Sequence, residues 1–497
     1  MKAMTFSDRM RLAWKALTHS PQARRSAFMG ADTSRLTNSW VTSPMHLNTA
    51  LYQDLQKLRA RSRELARNNE YGKKFLALVA DNVVGHAGFS LQIQALRPDG
   101  SIDEADSNYL EDRFGAWGKP GNCDVTGRLS FTSLQRLLIR SVAQDGEAIV
   151  RKHRTGSFGY QLELVDPALL AEALQFDLPG GNKVRMSVEY DAMHRPVAYY
   201  FGRSDYADPR ASADPFSNRY ERVPAEEVFH LFLPEAVAQI RGVPWMAAAI
   251  YRLQMLGGYE EAAMVASRLG AAIGGFFETP DGDASALADA TQGAAGAEEL
   301  LMDVEPGVYR ALPPGVKASA LNPNYPHQMF GEFVKMCLRG VSAGFGVSYN
   351  SLANDLEGVN YSSIRAGVLE ERETWKGIQG WMIETFLAPV YSEWLPQAIV
   401  AGQIKLPFSK LAKFDSAIWQ GRRWDWVDPL KDTDANVTSA QNGLKSYSQI
   451  IREQGRDPEE VWRELEKDRS RLLTLGLNLD NVKAAAVAGG SDAQATP

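Results

Sequence analysis

The chain has 497 residues, 44% of them hydrophobic and 23% charged, which is the composition of a globular protein of roughly two to four domains. Its formal net charge of −6 argues against a protein that grips nucleic acid by neutralising phosphates. Cys123 and Cys337 stand far apart without the spacing of a metal or redox motif, so two buried free thiols are expected.

Neither a targeting segment nor a membrane span is expected. The N-terminal segment MKAMTFSDRMRLAWKALTHS lacks the long apolar stretch of a signal peptide. The most apolar region, residues 243–277, contains four charged side chains, which a bilayer would not accommodate cheaply. These are Arg252, Glu260, Glu261 and Arg268. The sequence therefore predicts a soluble protein.

The first strongly periodic segment predicts an amphipathic helix over residues 47–84. Three arginines recur at every fourth position and so share one face of it: Arg59, Arg63 and Arg67. A DNA-binding stripe is one interpretation of this face. The favoured interpretation is an intersubunit or solvated face whose arginines pair with carboxylates such as Glu64 and Glu70.

A second helix and a β-rich region follow. Residues 131–145 have helical periodicity, with Thr132 as a candidate N-cap. The stretches EAIVRKHR and YQLELVD alternate as strands do, and KVRMSVEY and RPVAYYFGR flank DAMH as the arms of a hairpin would. Residues 228–232 close the region as an apolar strand. His230 within it is expected to be a satisfied core histidine, since no second ligand stands at metal spacing.

Pro244 is expected to open a long helix that runs to Phe276, because proline fits the first helical turn. Roughly 33 residues would then span about 50 Å. Alanine and glycine dominate one side of this helix, which suits close packing among other helices. Residues 278–323 combine a low-complexity stretch with Pro-Gly turns and predict a small β-containing module. The chain then returns as a helix over residues 326–344.

The next segment, GVSYNSLANDLEGVNYSSIRAG at residues 346–367, is polar but contains Leu352, Leu356 and Val359. It is therefore too apolar for a flexible linker. Without His, Cys or Lys it offers little for acid–base or metal chemistry. A tryptophan-rich helix is predicted over residues 362–401.

The C-terminal region is predicted to be helical up to a polar tail. In RDPEEVWRELEKDRSRLL, Asp457 is the candidate N-cap and Pro458 occupies the first helical position. Residues 484–497 are small and polar and are expected to be disordered.

One catalytic motif occurs in the chain. GVSAG at residues 340–344 matches GxSxG, with Ser342 as the nucleophile, but this motif requires a strand before it and a helix after it. The preceding FVKMCLR has helical spacing, so a helix end rich in small residues is favoured over a serine hydrolase. The sequence has neither GxxxxGK[ST] nor HExxH. We expect no enzyme activity, no metal and no cofactor.

Four segments together carry a resemblance that none of them would carry alone. They are SYNSLANDLEGVNYSSIRAG, RGVPW at residues 241–245, DAMHRPVAYY at residues 191–200 and RRWDWVDPLKD at residues 422–432. With them the order of elements resembles the lambda-type family of tailed-phage portal proteins over residues 10–475. The low-complexity stretch at residues 281–299 departs from the pattern and leaves the strands of the inserted module open.

The resemblance implies an α+β fold, the portal-protein fold, with an α/β wing, two long stem helices, a small β-containing clip inserted between them, a tunnel loop and a helical crown. The implied boundaries follow in chain order: the wing, with its N-terminal helices and β-rich region, at residues 1–242; the first stem helix at 243–277; the clip at 278–325; the second stem helix at 326–345; the tunnel loop at 346–363; the wing-returning helix and connection at 364–430; the crown at 431–483; and a disordered tail at 484–497.

The resemblance further implies a ring of copies of this chain, usually twelve, at one capsid vertex. Double-stranded DNA would pass through it during packaging and ejection, without sequence specificity. The implied partners are the terminase large subunit, head-completion or adaptor proteins, and the major capsid and scaffold proteins, with no membrane. The implied location is the virion, preceded by the host cytoplasm during assembly.

The resemblance assigns two sets of residues. The DNA-facing residues of the tunnel loop would be Asn350, Asn354, Asp355, Glu357 and Asn360, with Leu352 and Leu356 packing the loop. The clip residues that would dock terminase are Glu278, Glu305, Tyr309 and Arg310. Because duplex DNA carries a negative charge about every 1.7 Å, a basic lining would hold it, whereas amides with a few carboxylates can touch DNA without gripping it.

Two alternatives stay open on the sequence alone. One is another ring-forming phage structural protein, such as a different head–tail connector or a baseplate component. The other, from a different class, is a serine hydrolase that uses Ser342.

Overall fold

The computed structural model describes residues 41, 44–202, 220–272, 276–278, 317–319, 329–357, 361–424, 429–454 and 456–474. By backbone contacts the chain divides into two units, Met1–Ala50 and Leu51–Pro497. The second unit contains the elements below, except the first turn of the first helix. The predicted N-terminal portion of the wing before residue 41 and the predicted tail at residues 484–497 lie outside the described residues.

Two helices replace the single one predicted over residues 47–84. They are α1, Leu47–Asn68, and α2, Glu70–Val83. The Asn69 side chain causes the break, because it caps α2 by accepting a hydrogen bond from the Gly72 N–H at 2.9 Å. One side of α2 is completely buried against two later helices.

The predicted helix over residues 131–145 is confirmed, with a correction at its cap. After α3, Glu104–Trp117, the helix α4 runs Phe131–Asp145. Its N-cap is Ser130, whose hydroxyl accepts from the Ser133 N–H at 3.1 Å, and not Thr132. Ser130 adopts the extended backbone that an N-cap requires, whereas Thr132 already lies inside the helix.

The β-rich region forms two antiparallel sheets. The three-stranded sheet has the order β3-β2-β9, and the five-stranded sheet has the order β4-β5-β6-β7-β8. The strands are β2 Ala148–His153, β3 Gln161–Val165, β4 Phe176–Asp177, β5 Lys183–Arg185, β6 Val188–Tyr190, β7 Pro196–Gly202, β8 Tyr220–Pro224 and β9 Val228–Leu231. The strands β2 and β3 and the β6–β7 hairpin confirm two predictions, although KVRMSVEY forms a hairpin of its own rather than one strand.

A separate strand pair joins distant regions of the chain. β1, Ser90–Ile93, pairs antiparallel with β12, Ala417–Gln420. Two further short strands, β10 Phe276–Glu278 and β11 Lys317–Ser319, also pair antiparallel, with Glu278 opposite Lys317. The two ends of the segment between β10 and β11 therefore lie next to each other, at Glu278 and Lys317.

The first long helix is shorter than predicted. α5 runs Ile250–Ala272, which is 23 residues or about 35 Å. Residues 245–249 form turns instead of helix, in which the Ala247 N–H donates to the Pro244 carbonyl and the Ala249 N–H to the Met246 carbonyl, each at 2.9 Å. The returning helix α6 runs Phe330–Phe345.

The remaining elements are helical apart from β12. A five-residue helix α7, Tyr349–Ala353, is followed by α8, Tyr361–Met382, which continues through a π-helical turn, Ile383–Leu387, into α9, Ala388–Val400. The last helices are α10 Leu411–Phe414, α11 Pro429–Gln441, α12 Tyr447–Glu453 and α13 Pro458–Thr474. Asp457 caps α13 as predicted, since its carboxylate accepts from the Glu459 N–H at 2.9 Å.

Most of the buried side chains form one large core, and a smaller core lies between the two sheets. The large core contains aromatic residues in mutual contact at ring-centroid distances of 5.0 to 6.1 Å: Phe114, Trp117, Phe131, Tyr391 and Trp394. Contacts between residues this far apart in sequence bind the N-terminal helices to α9. Of the two free thiols, Cys123 is buried as predicted and Cys337 is only half-buried.

Within the described ranges, every helix falls short of the length and apolar character that a bilayer crossing demands.

Candidate functional site

The segment after α6 is an ordered turn–helix–turn rather than an open loop. Gly346 has φ 67° and ends α6 in the left-handed conformation, where glycine costs nothing sterically. Ser348 caps α7, because its hydroxyl accepts from the Ser351 N–H at 3.2 Å. Asn354 then ends α7 with φ 52°, a conformation that asparagine tolerates better than most residues. We call residues 346–357 the loop segment.

The carboxylate of Asp355 is held inside the loop segment. It accepts hydrogen bonds from the Tyr349 hydroxyl at 2.7 Å and from the Glu357 N–H at 2.9 Å. The Tyr349 hydrogen bond, the Glu357 N–H and the nearby Lys335 ammonium lower the pKa of Asp355. Burial together with the bond to Asp355 raises the pKa of Tyr349 to about 12. Asp355 is thus a structural anion near neutral pH.

A lysine of α6 connects that helix to the loop segment. The Lys335 Nζ lies 3.3 Å from Glu357 and 3.9 Å from Asp355, and its pKa is raised mainly by the bond to Glu357. Glu357 is 83% exposed at its side chain, so this pair is screened by water and contributes little stability.

Glu371 of α8 anchors the loop segment from the other side. One carboxylate oxygen accepts from the Ser348 N–H at 3.3 Å and from the Ser351 hydroxyl at 3.0 Å, and the other accepts from the Trp375 indole N–H at 3.3 Å. Glu371 gives no local signal in the sequence, because its partners around α7 are about 20 positions away.

The two leucines predicted to pack the loop behave differently. Leu352 is 2% exposed and belongs to the large core, which also contains Phe345 stacked on Phe75 at 4.3 Å. Leu356 is 66% exposed, so it is not packed into the core of the single chain, and its contact with neighbouring helices or loops stays a prediction. The αL turn at Asn354 directs the chain away from the core after α7.

The predicted DNA-facing residues lie on one short stretch with unequal exposure. Asn354 and Glu357 are exposed, whereas Asn350 and Asp355 are half-buried. Asn360 lies outside the described residues. Of the predicted clip residues, only the backbone of Glu278 is described, at the end of β10; Glu305, Tyr309 and Arg310 also lie outside. Their roles stay predictions.

The helices before and after the insertion, α5 and α6, run antiparallel in contact, and the loop segment follows α6. Tyr259 of α5 stacks on Phe330 of α6 at 5.5 Å and meets Phe333 edge-on at 5.1 Å. Toward the other end, the Arg252 guanidinium lies directly over Gly340, where an added Cβ would be 1.4 Å from Nη1. We call α5 and α6 the stem pair.

The stem pair exposes large apolar side chains to water. Their exposed fractions range from 48% to 77%. They are Tyr251, Met255, Met264, Val265, Met329, Phe333 and Met336. An apolar surface of this kind on two adjacent helices is typical of a protein–protein contact.

A buried charge cluster joins the start of β2 to the segment before α5. Glu147 is fully buried and accepts from Arg241 at 3.0 Å and 2.5 Å, from Arg59 at 2.9 Å and from the Gly242 N–H at 3.0 Å. Burial alone would raise the pKa of Glu147, but the Arg241 charge and the His230 hydrogen bond hold it well below its usual range.

His230 is a satisfied core histidine, as predicted. Its Nε2 lies 3.0 Å from Glu147, and its side chain is 5% exposed. Arg241, within the RGVPW segment, completes the cluster by donating to the carbonyls of Leu170 and Met186. The RGVPW segment is recognisable in the sequence, but the role of Arg241 is not, since its partner Glu147 is 94 residues away.

Two of the three arginines on the face of α1, Arg59 and Arg63, pair with carboxylates, which contradicts a DNA-binding stripe formed by all three. Arg59 is 3% exposed and also bonds Glu172 at 2.6 Å, while Arg63 bonds Asp145 at 2.7 Å and Asp166 at 2.5 Å. The partners are not the predicted Glu64 and Glu70. Both of those lie on α1 or α2 themselves, whereas these arginines face α4 and the sheets.

Ser342 lies within the last turns of α6 and is 2% exposed. A helical, buried serine lacks the exposed strand-to-helix turn that activates a nucleophile. Across the described ranges, histidine, cysteine and carboxylate side chains form no group that could hold a metal ion.

Three kinds of comparison give similar proteins. The family model described as "Phage portal protein, lambda family" matches residues 33–379. The probable portal protein of Halomonas phage phiHAP-1 is 36% identical over 460 residues, covering 90% of this chain and 87% of the relative. Portal protein B of Escherichia phage lambda is 22% identical over 491 residues, covering 91% and 90%. A solved chain from the neck of an empty gene transfer agent particle has a TM-score of 0.46 and 15% identity, covering 82% and 94%.

Proposed function

Because the chain belongs to the lambda family of phage portal proteins, we propose that it forms a ring at one capsid vertex through which double-stranded DNA is packaged and ejected. As a member of that family it is a structural protein of the virion and not an enzyme. Membership also sets aside the two alternatives, a different connector or baseplate component and a hydrolase using Ser342.

The observation that carries the channel proposal is the ordered loop segment at the end of the stem pair. Its exposed side chains include Asn354 and Glu357, and its backbone is fixed by Glu371 and by the internal Asp355. A rigid surface of amides and carboxylates neither neutralises phosphate nor releases counterions from DNA. Such a surface permits passage of a duplex.

The exposed apolar side chains of the stem pair support the ring, because they would be buried in a head-to-tail contact between neighbouring copies. Apolar side chains such as Met255 and Met336 are more than half exposed in the single chain. Burying them against a neighbour would stabilise the assembly by about 25 cal/mol for each Å² of apolar surface removed from water. Contacts of this type close into rings when the rotation between copies allows it.

The inserted residues between β10 and β11 are proposed as the docking site for the terminase large subunit and later for head-completion proteins. The boundaries of wing, stem, clip, tunnel loop and crown given above belong to the same proposal, as do contacts with the major capsid and scaffold proteins and assembly in the host cytoplasm. The support is the connection: both ends of the insertion meet at the Glu278–Lys317 pair.

The channel proposal is tested by charging the exposed portion of the loop segment. Asn354→Lys with Glu357→Lys leaves Asp355 and its bond to Tyr349 intact. Rings of this variant should bind duplex DNA with a log–log salt slope that steepens by about 0.9 for each phosphate neutralised. Packaging and ejection should be slower than in the wild type.

The matched control is Asn354→Gln with Glu357→Gln, which keeps the side chains polar and removes only one carboxylate. It should form rings and translocate DNA nearly as the wild type does. Ring assembly is verified first by mass in solution. Lysine-bearing rings that package and eject DNA at wild-type rates would show that the loop segment does not face the DNA.

A further inference from the structure

A groove beside the β-rich region is lined by apolar side chains together with three arginines. It has a volume of about 430 Å³ and lies between the end of α1, α4 and the end of β3. We call it the wing groove. Its lining includes Leu137, Leu164, Val165 and Pro167, with Arg63, Arg67 and Arg140 as its cations and Asp145 and Asp166 as its anions.

The charges of the wing groove are not balanced internally. Arg63 already bonds both carboxylates, Asp145 and Asp166. Within the portion of the chain that the structure describes, Arg67 and Arg140 have neither an ion-pair nor a side-chain hydrogen-bond partner. Leu137, which lines the same groove, is 44% exposed. The groove therefore presents two available guanidinium groups around an apolar site.

A short projecting loop elsewhere in the wing has the complementary character. Residues 233–238 follow β9 and carry Glu235, which is exposed, and Val237, which is 90% exposed. We call this stretch the wing knob. Val237 could bind the apolar lining of the wing groove, and Glu235, two positions before it, could bind the arginines of that groove.

The wing knob is rigid before any partner arrives. The Gln239 side chain accepts from the Glu235 N–H at 2.7 Å and from the Ala236 N–H at 3.1 Å, and it donates to the Arg241 carbonyl at 2.7 Å. Ala238 has φ 56°, which costs of order 1–3 kcal/mol for a residue other than glycine. A fixed loop loses little conformational entropy on binding.

In a single chain the wing knob does not enter the wing groove, since Val237 is 90% exposed. The groove adjoins the end of β3 and the knob follows β9, with β2 between these strands. A second copy placed edge to edge would bring the knob of one chain to the groove of the next. This contact is heterologous, and repeated by rotation it closes into a ring.

We propose that the wing knob of each subunit docks in the wing groove of its neighbour, with Val237 on the apolar lining and Glu235 between Arg67 and Arg140. The proposal rests on the proposed ring, and it adds a charge-specific contact at the wing to the apolar contact at the stem pair. Opposite charges at such a contact fix the orientation of neighbours and disfavour wrong pairings.

The first test reverses charges on each side. Arg67→Glu with Arg140→Glu should raise the protein concentration needed for half-maximal ring formation by about tenfold or more, equivalent to about 1.4 kcal/mol. Glu235→Arg alone should also raise it. Combining all three substitutions should bring it back toward the wild-type value. The measurement is the ring fraction against concentration by sedimentation or mass photometry.

The matched control is Arg128→Glu with Arg154→Glu, the same change of charge at two exposed arginines outside the groove. Its protein concentration for half-maximal ring formation should lie within about twofold of the wild-type value, well below the tenfold increase expected for the groove variant. A thermal unfolding curve for each variant separates loss of contact from loss of folding.

The second test is a cross-link that does not depend on charge. Leu137→Cys with Val237→Cys in one chain should give a ladder of disulfide-linked dimers, trimers and larger species on oxidation, because each subunit offers one cysteine to each neighbour. Either single variant should give no ladder. This test decides the proposal even if the charge-reversed chain fails to fold.

The outcomes distinguish this contact from the ring itself. The wing contact is overturned, and the ring is left intact, if the Arg67→Glu, Arg140→Glu variant forms rings at the wild-type concentration and the double-cysteine variant gives no ladder. A wild-type chain that remains a monomer overturns both. If the charge reversal spares the rings but flattens the salt dependence of duplex DNA binding, the groove is a nucleic-acid site and the contact is overturned as well.

Discussion

Glu147 shows how one buried side chain can join three distant segments of the chain. It accepts from Arg59 of α1, from Arg241 before α5 and from His230 of β9, and all four groups are almost inaccessible to water. Burying these charges together yields little net stability, because desolvation offsets their attraction. Removing one partner is different, since the remaining charges then stay buried and uncompensated.

We therefore expect Glu147→Gln to lower the free energy of unfolding by about 3–5 kcal/mol. The control is Asp177→Asn, which removes an exposed partner of Arg185 and should cost less than about 1 kcal/mol. Both are measured by denaturant unfolding at one fixed protein concentration, because assembly adds to apparent stability. Equal losses for the two variants would contradict the role given to the cluster.

The same carboxylate gives a prediction for pH. The folded-state pKa of Glu147 lies well below its ordinary value of 4.5, so the chain gains stability above that value and loses it as pH falls toward the folded pKa. The gap in stability between wild type and Glu147→Gln should therefore narrow on going from about pH 6 to about pH 3. A gap that stays constant over this range would show that Glu147 is not ionised in the folded chain.

At the level of elements, the close approach of α5 and α6 depends on a glycine. An added Cβ at Gly340 would overlap the Arg252 guanidinium, whereas one at Gly331 in the same helix would meet nothing within 4 Å. Alanine is favoured over glycine in a helix by about 1 kcal/mol. Gly331→Ala should therefore raise the free energy of unfolding by roughly that amount.

Gly340→Ala should raise the free energy of unfolding by less than Gly331→Ala does, or lower it, because Arg252 must leave its position. In an Arg252→Ala background the gain should reappear, and the coupling is read from a double-mutant cycle. If Gly340→Ala stabilises the chain as much as Gly331→Ala does, Arg252 does not pack on α6 in solution.

Elements with a local cause could be predicted from the sequence, and elements with a distant cause could not. Asp191 holds the β6–β7 turn by accepting from the N–H groups of Met193 and Arg195. The sequence DAMH predicts that turn, because aspartate at such a position caps the following backbone N–H groups. α5 begins later than predicted, because the Ala247 and Ala249 N–H groups bond carbonyls three residues earlier and form turns. The Trp245 N–H bonds the distant Ala143 carbonyl, and a proline at residue 244 gives no sign of that contact.

The candidate site divides in the same way. The polar character of the loop segment and the burial of Leu352 follow from composition and spacing. The Glu371 anchor, the Glu147 cluster and the pairing of Arg63 with Asp145 join residues 20 to 94 positions apart. Such contacts leave no periodic pattern, so only the folded chain reveals them.

At the level of the whole molecule, the inserted residues are attached to the stem pair through one short strand pair. Because β10 and β11 pair antiparallel, with Glu278 opposite Lys317, the two ends of the insertion are about 5 Å apart. A turn of two to five residues can bridge such a gap. A short turn could therefore replace the insertion without changing the path of the stem pair.

We expect replacement of residues 279–316 by a short Gly-Asn turn to leave ring formation intact and to abolish binding of the cognate terminase large subunit. Mass in solution reports the ring, and a pulldown with purified terminase reports docking. The control removes only residues 284–297, the low-complexity stretch, and should keep the ring with terminase binding unchanged or weakened. If the short-turn variant still captures terminase at wild-type strength, the docking site lies outside the insertion; if it loses the ring while the control keeps it, the insertion itself contributes to the contact between subunits.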